Sequence, residues 1–171
     1  MSVQNILSFD VGIKHLAYCV LNRENHQILA WNVCQIPTDL AQQIQFLDQC
    51  AFWDTPFDTV IIEKQPARNT KMRIVENMLS VYFLMKGIAN VTTFSSKHKL
   101  GSIGKTTKGT KNYAVRKKYG IAMTNVFVQD TPHIEFFNKH KKKDDLSDCL
   151  LQALAFVQYD VDQLHTSIVR V

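Results

Sequence analysis

The sequence predicts an α/β fold, a mixed β-sheet covered by helices, and three observations carry that reading. First, three apolar segments between residues 5 and 34 are joined only by short polar or glycine-containing links, which makes them an antiparallel meander. Second, Val60-Ile61-Ile62 is a short β-branched run suited to a strand buried on both faces, and such strands are usually parallel. Third, helical periodicity then alternates with short strands. A meander feeding strand–helix–strand units gives a mixed sheet with helices packed on it.

Each element has its own signal. Residues 5–11 form a first strand stopped by Gly12; 15–22 form a second and 27–34 a third, with Arg23 to His26 as the turn between them. Residues 39–52 place Leu40, Ile44, Leu47 and Ala51 at helical spacing, and Asp54, Pro56 and Asp58 end that pattern. From Asn69 to Lys86 a second helix carries Met72, Val75, Met78, Leu79, Tyr82 and Met85 on one broad face. Asn90 to Phe94 reads as a strand, the Gly-, Ser- and Lys-rich stretch 95–110 as a loop, and 111–119 as a helix. Residues 131–143 show no period and end in a basic run from Lys139 to Lys143. A last helix, Asp144 to Tyr159, buries Leu146, Cys149, Leu150, Ala153, Leu154 and Val157.

Composition narrows the class. A length of 171 residues with 46% apolar content, evenly spread, suits one domain over the whole of residues 1–171. No stretch approaches the roughly 18–20 uncharged apolar residues of a membrane span. The first residues lack a basic segment followed by an apolar run, which predicts a protein that is not secreted. Cys19, Cys34, Cys50 and Cys149 are widely spaced, which argues against a zinc ribbon or a disulfide framework. The net charge of +5 is unevenly distributed: no acidic residue lies between Glu76 and Asp130, where Lys86, Lys97, Lys99, Lys105, Lys108, Lys111, Arg116, Lys117 and Lys118 all fall. A polyanion meets one basic and one acidic region.

Charges placed where a core element should be apolar point to chemistry. Asp10 ends the first strand and Glu63 ends the buried run; on neighbouring central strands they form a pair that needs a cation or protons. Taken singly, each is equally a turn residue or a solvated one. Asp145 and Asp148, three residues apart, share a helix face. Asp144 and Asp145 also suit a helix start, where the macrodipole favours acids, but Asp148 lies a turn further in. Four carboxylates without a His/Cys cluster suit Mg²⁺ or Mn²⁺, and such a set could hold two ions about 3.5–4 Å apart for in-line phosphoryl displacement. The basic segment, Lys97, Lys99, Lys105, Lys108, Lys111, Arg116 and Lys117, supplies phosphate contacts beside that acidic centre.

Three motifs together resemble a known family. Ile6 to Tyr18, with Asp10-Val11-Gly12 at its centre, resembles the first strand and turn of RNase H-like resolvases, above all the poxvirus and iridovirus Holliday-junction resolvases and the related fungal mitochondrial ones. Val60-Ile61-Ile62-Glu63-Lys64-Gln65-Pro66 resembles their second motif, and Lys142 to Cys149 their closing D-x-x-D pair. The resemblance implies an RNase H-like (RuvC-like) five-stranded mixed sheet flanked by helices. It also implies a homodimer that nicks opposing strands of a four-way DNA junction symmetrically. Asp10, Glu63, Asp145 and Asp148 would then be the metal-binding carboxylates, with Asp144–Asp148 as the other pairing. A lysine near the scissile phosphate is implied as well; Lys105 is preferred among Lys97, Lys99, Lys105, Lys108 and Lys111, with Lys111 next. By analogy with bacterial RuvC, the helix 69–86 is a dimer element, with ordinary core packing as its equal alternative.

The same site chemistry would serve a nuclease acting on RNA–DNA hybrids or a repair or flap endonuclease, because fold and metal site do not set the substrate. A non-catalytic branched-DNA-binding module is the third reading, against which four intact carboxylates argue. The resemblance places the protein in a viral DNA-replication compartment of the host cytoplasm, with the mitochondrial matrix as the alternative.

Overall fold

The computed structural model describes residues 4–101 and 113–164. Their elements run β1 (Asn5–Val11), β2 (His15–Asn22), β3 (Ile28–Gln35), α1 (Leu40–Asp48), β4 (Thr59–Glu63), α2 (Thr70–Met85), β5 (Asn90–Phe94), α3 (Tyr113–Val128), α4 (Ile134–Lys139) and α5 (Lys143–Phe156). The five strands form one sheet in the order β3-β2-β1-β4-β5. The meander β1–β2–β3 is antiparallel, whereas β4 pairs parallel to β1 and β5 parallel to β4. Four of the five strands, β1, β3, β4 and β5, therefore run the same way and end at one edge, where the crossover connections leave the ends of the parallel strands open.

Local chemistry explains the turns that hold this order. Gly12 leaves β1 so close to the returning chain that a Cβ there would lie 2.5 Å from the His15 carbonyl oxygen, which only glycine permits. Between β2 and β3 the Asn22 side chain accepts from the backbone N–H of Glu24 and Asn25, and His26 takes the left-handed conformation at φ 57°. Asp39 caps α1 by accepting from Gln42 N–H, and Asn69 caps α2 through Met72 N–H.

Strand alternation divides the core in two. On one face of the sheet Leu7, Phe9, Val11, Val60 and Ile62 pack with Val75, Leu79, Tyr82 and Phe83 of α2 and with Phe52. This side is aromatic: Phe52 stands edge-on to Phe9 with centroids 5.6 Å apart and 5.9 Å from Phe83. On the other face Ile6, Ala17, Cys19 and Ile61 pack with Leu146, Cys149, Leu150, Ala153 and Leu154 of α5. Trp31 seals that side, stacked on Phe137 at 5.5 Å and donating its indole N–H to the Leu146 carbonyl at 3.1 Å. With α3 packed on its back, α5 is buried nearly all round, including Leu151 and Gln152.

The structure corrects several sequence expectations in detail. The helix expected over 111–119 extends to Val128, and 131–143, which showed no period, contains α4. In α1 the core side is Gln43 and Leu47, while Leu40 and Ile44 face outward. In α2 Met85 is 83% exposed, and Glu76 and Phe83 take inward positions instead. A helical period finds an apolar stripe but not which stripe faces the sheet when a helix carries two. Replacing Leu150 with Ala in the α5 layer is expected to lower unfolding free energy by about 2–5 kcal/mol. Removing the exposed Glu135–Lys139 pair with Glu135→Ala should change it by no more than about 0.5 kcal/mol. Urea denaturation of both variants checks the contrast.

Candidate active site

Strand periodicity places the first two carboxylates. Asp10 shares its β1 face with Ile6 and Ser8, and Glu63 shares its β4 face with Ile61; both faces look toward α5. The parallel register pairs Phe9 with Ile62, so Asp10 and Glu63 lie one step further along, side by side at the open edge. Across from them α5 presents Asp145 and Asp148 from one helix face.

One lysine draws the cluster together. Lys99, only 3% exposed, places its Nζ 3.1 Å from an Asp10 oxygen, 3.1 Å from a Glu63 oxygen and 3.9 Å from an Asp148 oxygen. Burial alone would lower its pKa, but the charges of Asp10, Asp148 and Glu63 overcome that and keep it an ammonium. A single positive charge does not neutralise the group. Burial pushes the Asp10 carboxyl up to about 7; Lys99 pulls against this shift and Glu63 adds to it. Asp148 is pushed up to about 6, by burial first, with Lys99 opposing and Asp10 reinforcing. Its side chain is 41% exposed against 15% for Asp10, so solvent screens Asp148 more.

The two adjacent acids of α5 behave differently. Burial works against ionisation of Asp144, but an ion pair with Lys117 outweighs it and holds the carboxyl below the usual range. Asp145 is raised by burial and by the charges of Asp144 and Asp10, and its cation, Lys142, stands 3.8 Å away. Asp144 therefore belongs to a peripheral ion pair, whereas Asp145 feels the Asp10 charge.

Two further residues support Glu63. The Gln65 side-chain amide donates to the Glu63 carboxylate at 3.1 Å and to its carbonyl at 3.2 Å. In turn the Gln65 backbone N–H donates to the buried Glu76 carboxylate at 3.0 Å, which ties the strand end to α2.

The other predicted residues are distributed around this centre. Lys99, expected among the phosphate-contacting loop lysines, is buried in the carboxylate cluster instead of lying on the loop surface. A 3-10 turn at Ser96–His98, directly after β5, brings it back over the sheet edge. Its position just beyond the end of a parallel strand is the one sequence signal that marks it. Lys117 is engaged with Asp144 and lies over the Tyr113 ring at 5.1 Å. Lys97 is exposed and Arg116 half-buried. Lys105, Lys108 and Lys111 lie outside the described residues. Glu76 gave no signal beyond being an acid within a helical apolar period.

The donor set suits a hard divalent cation: carboxylate oxygens converge from two strands and a helix, with more negative charge than Lys99 offsets. Among the described residues no three His, Cys, Asp or Glu side chains stand ready at coordination spacing; the Lys99 ammonium holds the centre.

This sheet order, with helices on both faces, is an RNase H-like fold of the RuvC-like kind, and it carries acids at the ends of β1 and β4 and on the closing helix. The family model for the Poxvirus A22 protein matches residues 4–161, and the chain belongs to that family. Among solved structures it is similar to the fowlpox virus resolvase in complex with its substrate Holliday junction DNA, with 22% identity, 90% of this chain and 97% of that one covered, and a TM-score of 0.65. The fowlpox virus Holliday junction resolvase alone gives 19% identity, 90% and 98% coverage and a TM-score of 0.68. Thermus thermophilus RuvC gives 15% identity, 94% and 97% coverage and a TM-score of 0.58. At such identities the likeness shows a shared fold. No curated protein sequence matches the chain. The expected five-stranded RNase H-like sheet is thus the one the chain adopts.

The raised Asp10 has a consequence for stability. An Asp whose folded-state pKa rises from 3.8 to about 7 binds its proton more tightly in the folded than in the unfolded chain, so it costs stability as pH rises through that window. In chelator, the melting temperature of Asp10→Asn minus that of the wild type is expected to grow between about pH 4 and pH 7 and then level off. Differential scanning calorimetry checks this; a difference independent of pH would refute the assignment.

Proposed function

We propose that this protein is a Holliday-junction resolvase, a metal-dependent endonuclease that nicks opposing strands of branched DNA in symmetric pairs. The observation that carries the reading is the convergence of Asp10, Glu63 and Asp148 on one buried lysine nitrogen, at the open edge of an RNase H-like sheet in a chain of the poxvirus A22 family. Residues 1–171 act as one nuclease domain in this reading. No helix among the described residues is long and apolar enough to cross a membrane. A viral DNA-replication compartment in the host cytoplasm is the setting that the family suggests.

In the mechanism proposed, Asp10, Glu63, Asp145 and Asp148 would hold Mg²⁺, or Mn²⁺ in its place, two ions per site. Bound there, such ions would supply activation of water and Lewis-acid stabilisation of the leaving oxygen. The chain's own residues do the rest. Gln65 orients the Glu63 carboxylate, and Lys99 supplies positive charge beside the reacting phosphate, where negative charge builds during displacement. Exposed Lys97 and the basic segment after it contact flanking phosphates.

Symmetric nicks need two sites related by a two-fold axis, and α2 offers a face for the second copy. Ile74, Val81, Leu84 and Met85 are all exposed. At about 100° per residue they fall on one stripe, opposite the buried Val75, Leu79 and Phe83. Such a helix, apolar on both sides, has one apolar side left for a partner.

Purified protein on a labelled four-way junction is expected to give paired symmetric nicks only with Mg²⁺ or Mn²⁺. A linear duplex and an RNA–DNA hybrid of matching sequence should stay intact; preferential cutting of the hybrid would move the function to another nuclease on this fold. Asp10→Asn and Asp145→Asn should abolish cleavage while leaving junction binding, and full activity in either would sink the site assignment. Separately, Val81→Asp should convert the dimer to a monomer in sedimentation and replace paired nicks by single ones. A variant that stays dimeric would remove α2 from the interface.

A further inference from the structure

Beneath the carboxylates lies a second, fully buried set of polar groups. Ser8 and Gln152 are both 0% exposed in an otherwise apolar layer. The Ser8 hydroxyl donates to the Cys149 carbonyl at 2.8 Å, across from strand to helix. The Gln152 amide answers from helix to strand, donating to the Ser8 hydroxyl at 3.1 Å and to the Phe9 carbonyl at 3.0 Å. The two backbone groups that are gripped adjoin the carboxylates: Phe9 precedes Asp10, and Cys149 follows Asp148.

Sequence spacing makes this arrangement a single unit. Ser8 lies two residues before Asp10, on the same face of β1. Gln152 lies four residues after Asp148, on the same face of α5. The strand face therefore reads Ser8 then Asp10, the helix face Gln152 then Asp148, and the lower pair is bonded while the upper pair carries charge. Nothing in ordinary core packing asks for amides here. Among the described residues the buried Gln152 Oε1 has no hydrogen-bond partner, and the amide is used on its N–H side. An apolar side chain of similar volume would fill the place without leaving that acceptor stranded.

We infer that Ser8 and Gln152 are positioning residues: a buried cross-brace that sets the separation of Asp10 and Asp148 and so tunes the carboxylate site for its cation. Two carboxylates carried on different elements repel as they ionise, and the elements are free to slide unless something directional holds them. Apolar contacts between β1 and α5 are non-directional, whereas three hydrogen bonds in both senses fix register and spacing. The inference rests on the reading of Asp10 and Asp148 as one cation site.

The test compares wild type, Gln152→Leu and Leu154→Ala. Leu154 is equally buried on α5 but stands about 200° round the helix from Gln152, so its truncation lowers stability without touching the brace. Mn²⁺ affinity, read by the paramagnetic resonance of free Mn²⁺, and junction cleavage are both measured below the lowest melting temperature of the three. Gln152→Leu is expected to weaken Mn²⁺ binding and lower kcat by about 10–100-fold each, the range for groups that orient metal ligands. KM for the junction should not move, and Leu154→Ala should keep both Mn²⁺ affinity and kcat. Wild-type Mn²⁺ affinity in Gln152→Leu, or an equal loss in Leu154→Ala, would overturn the brace while leaving the carboxylate site standing. A wild-type protein that binds no Mn²⁺ would overturn the site reading itself, and the inference with it. If Gln152→Leu does not fold, Ser8→Ala, which only removes a hydroxyl, carries the same expectation.

Discussion

Negative charge gathered at the end of the two central strands is the constraint around which this protein is organised. Asp10 and Glu63 emerge from the most deeply buried strands of the sheet, where an unpaired carboxylate is costly. Asp148 joins them from α5. The chain meets that cost with one internal cation, Lys99, which is enough to hold the group but not to neutralise it. The remaining demand for positive charge appears as carboxyl groups that hold their protons near neutrality. A site in this condition is poised for an added cation, as a phosphoryl-displacing centre requires.

The two-faced sheet makes such a site mechanically sound. Leu7, Phe9, Val60 and Ile62 lock the central strands to an aromatic layer beneath α2, while the opposite face of the same strands carries Asp10 and Glu63. Because alternate residues point to opposite faces, the strands anchor themselves with one set of side chains and serve the site with the other. The helix α5 completes the site from the other side, and its near-total burial leaves little freedom for Asp145 and Asp148 to drift.

The helix α2 links two levels of organisation. Its inner face packs on the sheet and sends Glu76 to the backbone N–H of Gln65, the same residue whose side-chain amide holds Glu63. Its outer face carries the exposed apolar stripe offered to a second copy. The same element therefore reaches Glu63 of its own chain through Gln65 and, in the proposed dimer, touches the neighbouring chain. An assembly that cuts in symmetric pairs has a short physical path between its interface and its site.

Much of this was legible in the amino-acid order. The alternation and β-branching of the first 63 residues gave the meander and the buried parallel strand within about a residue of their ends, because those signals are local. The four carboxylates stood out because charges interrupted apolar patterns. What only the tertiary structure decided depends on which distant segments meet. Lys99 looked like its loop neighbours until the turn after β5 carried it 36 positions back to Glu63. Spacing selected Asp145 with Asp144 as the other pairing, and in the fold Lys117 of α3 sets the two apart by claiming Asp144. Glu76, Ser8 and Gln152 were unremarkable polar residues until packing removed water from them. Periodicity is a property of the chain alone, whereas burial and charge pairing belong to the contacts that folding creates. The sequence by itself therefore determined the sheet and its acids, and only the packed structure decided their cation and their supports.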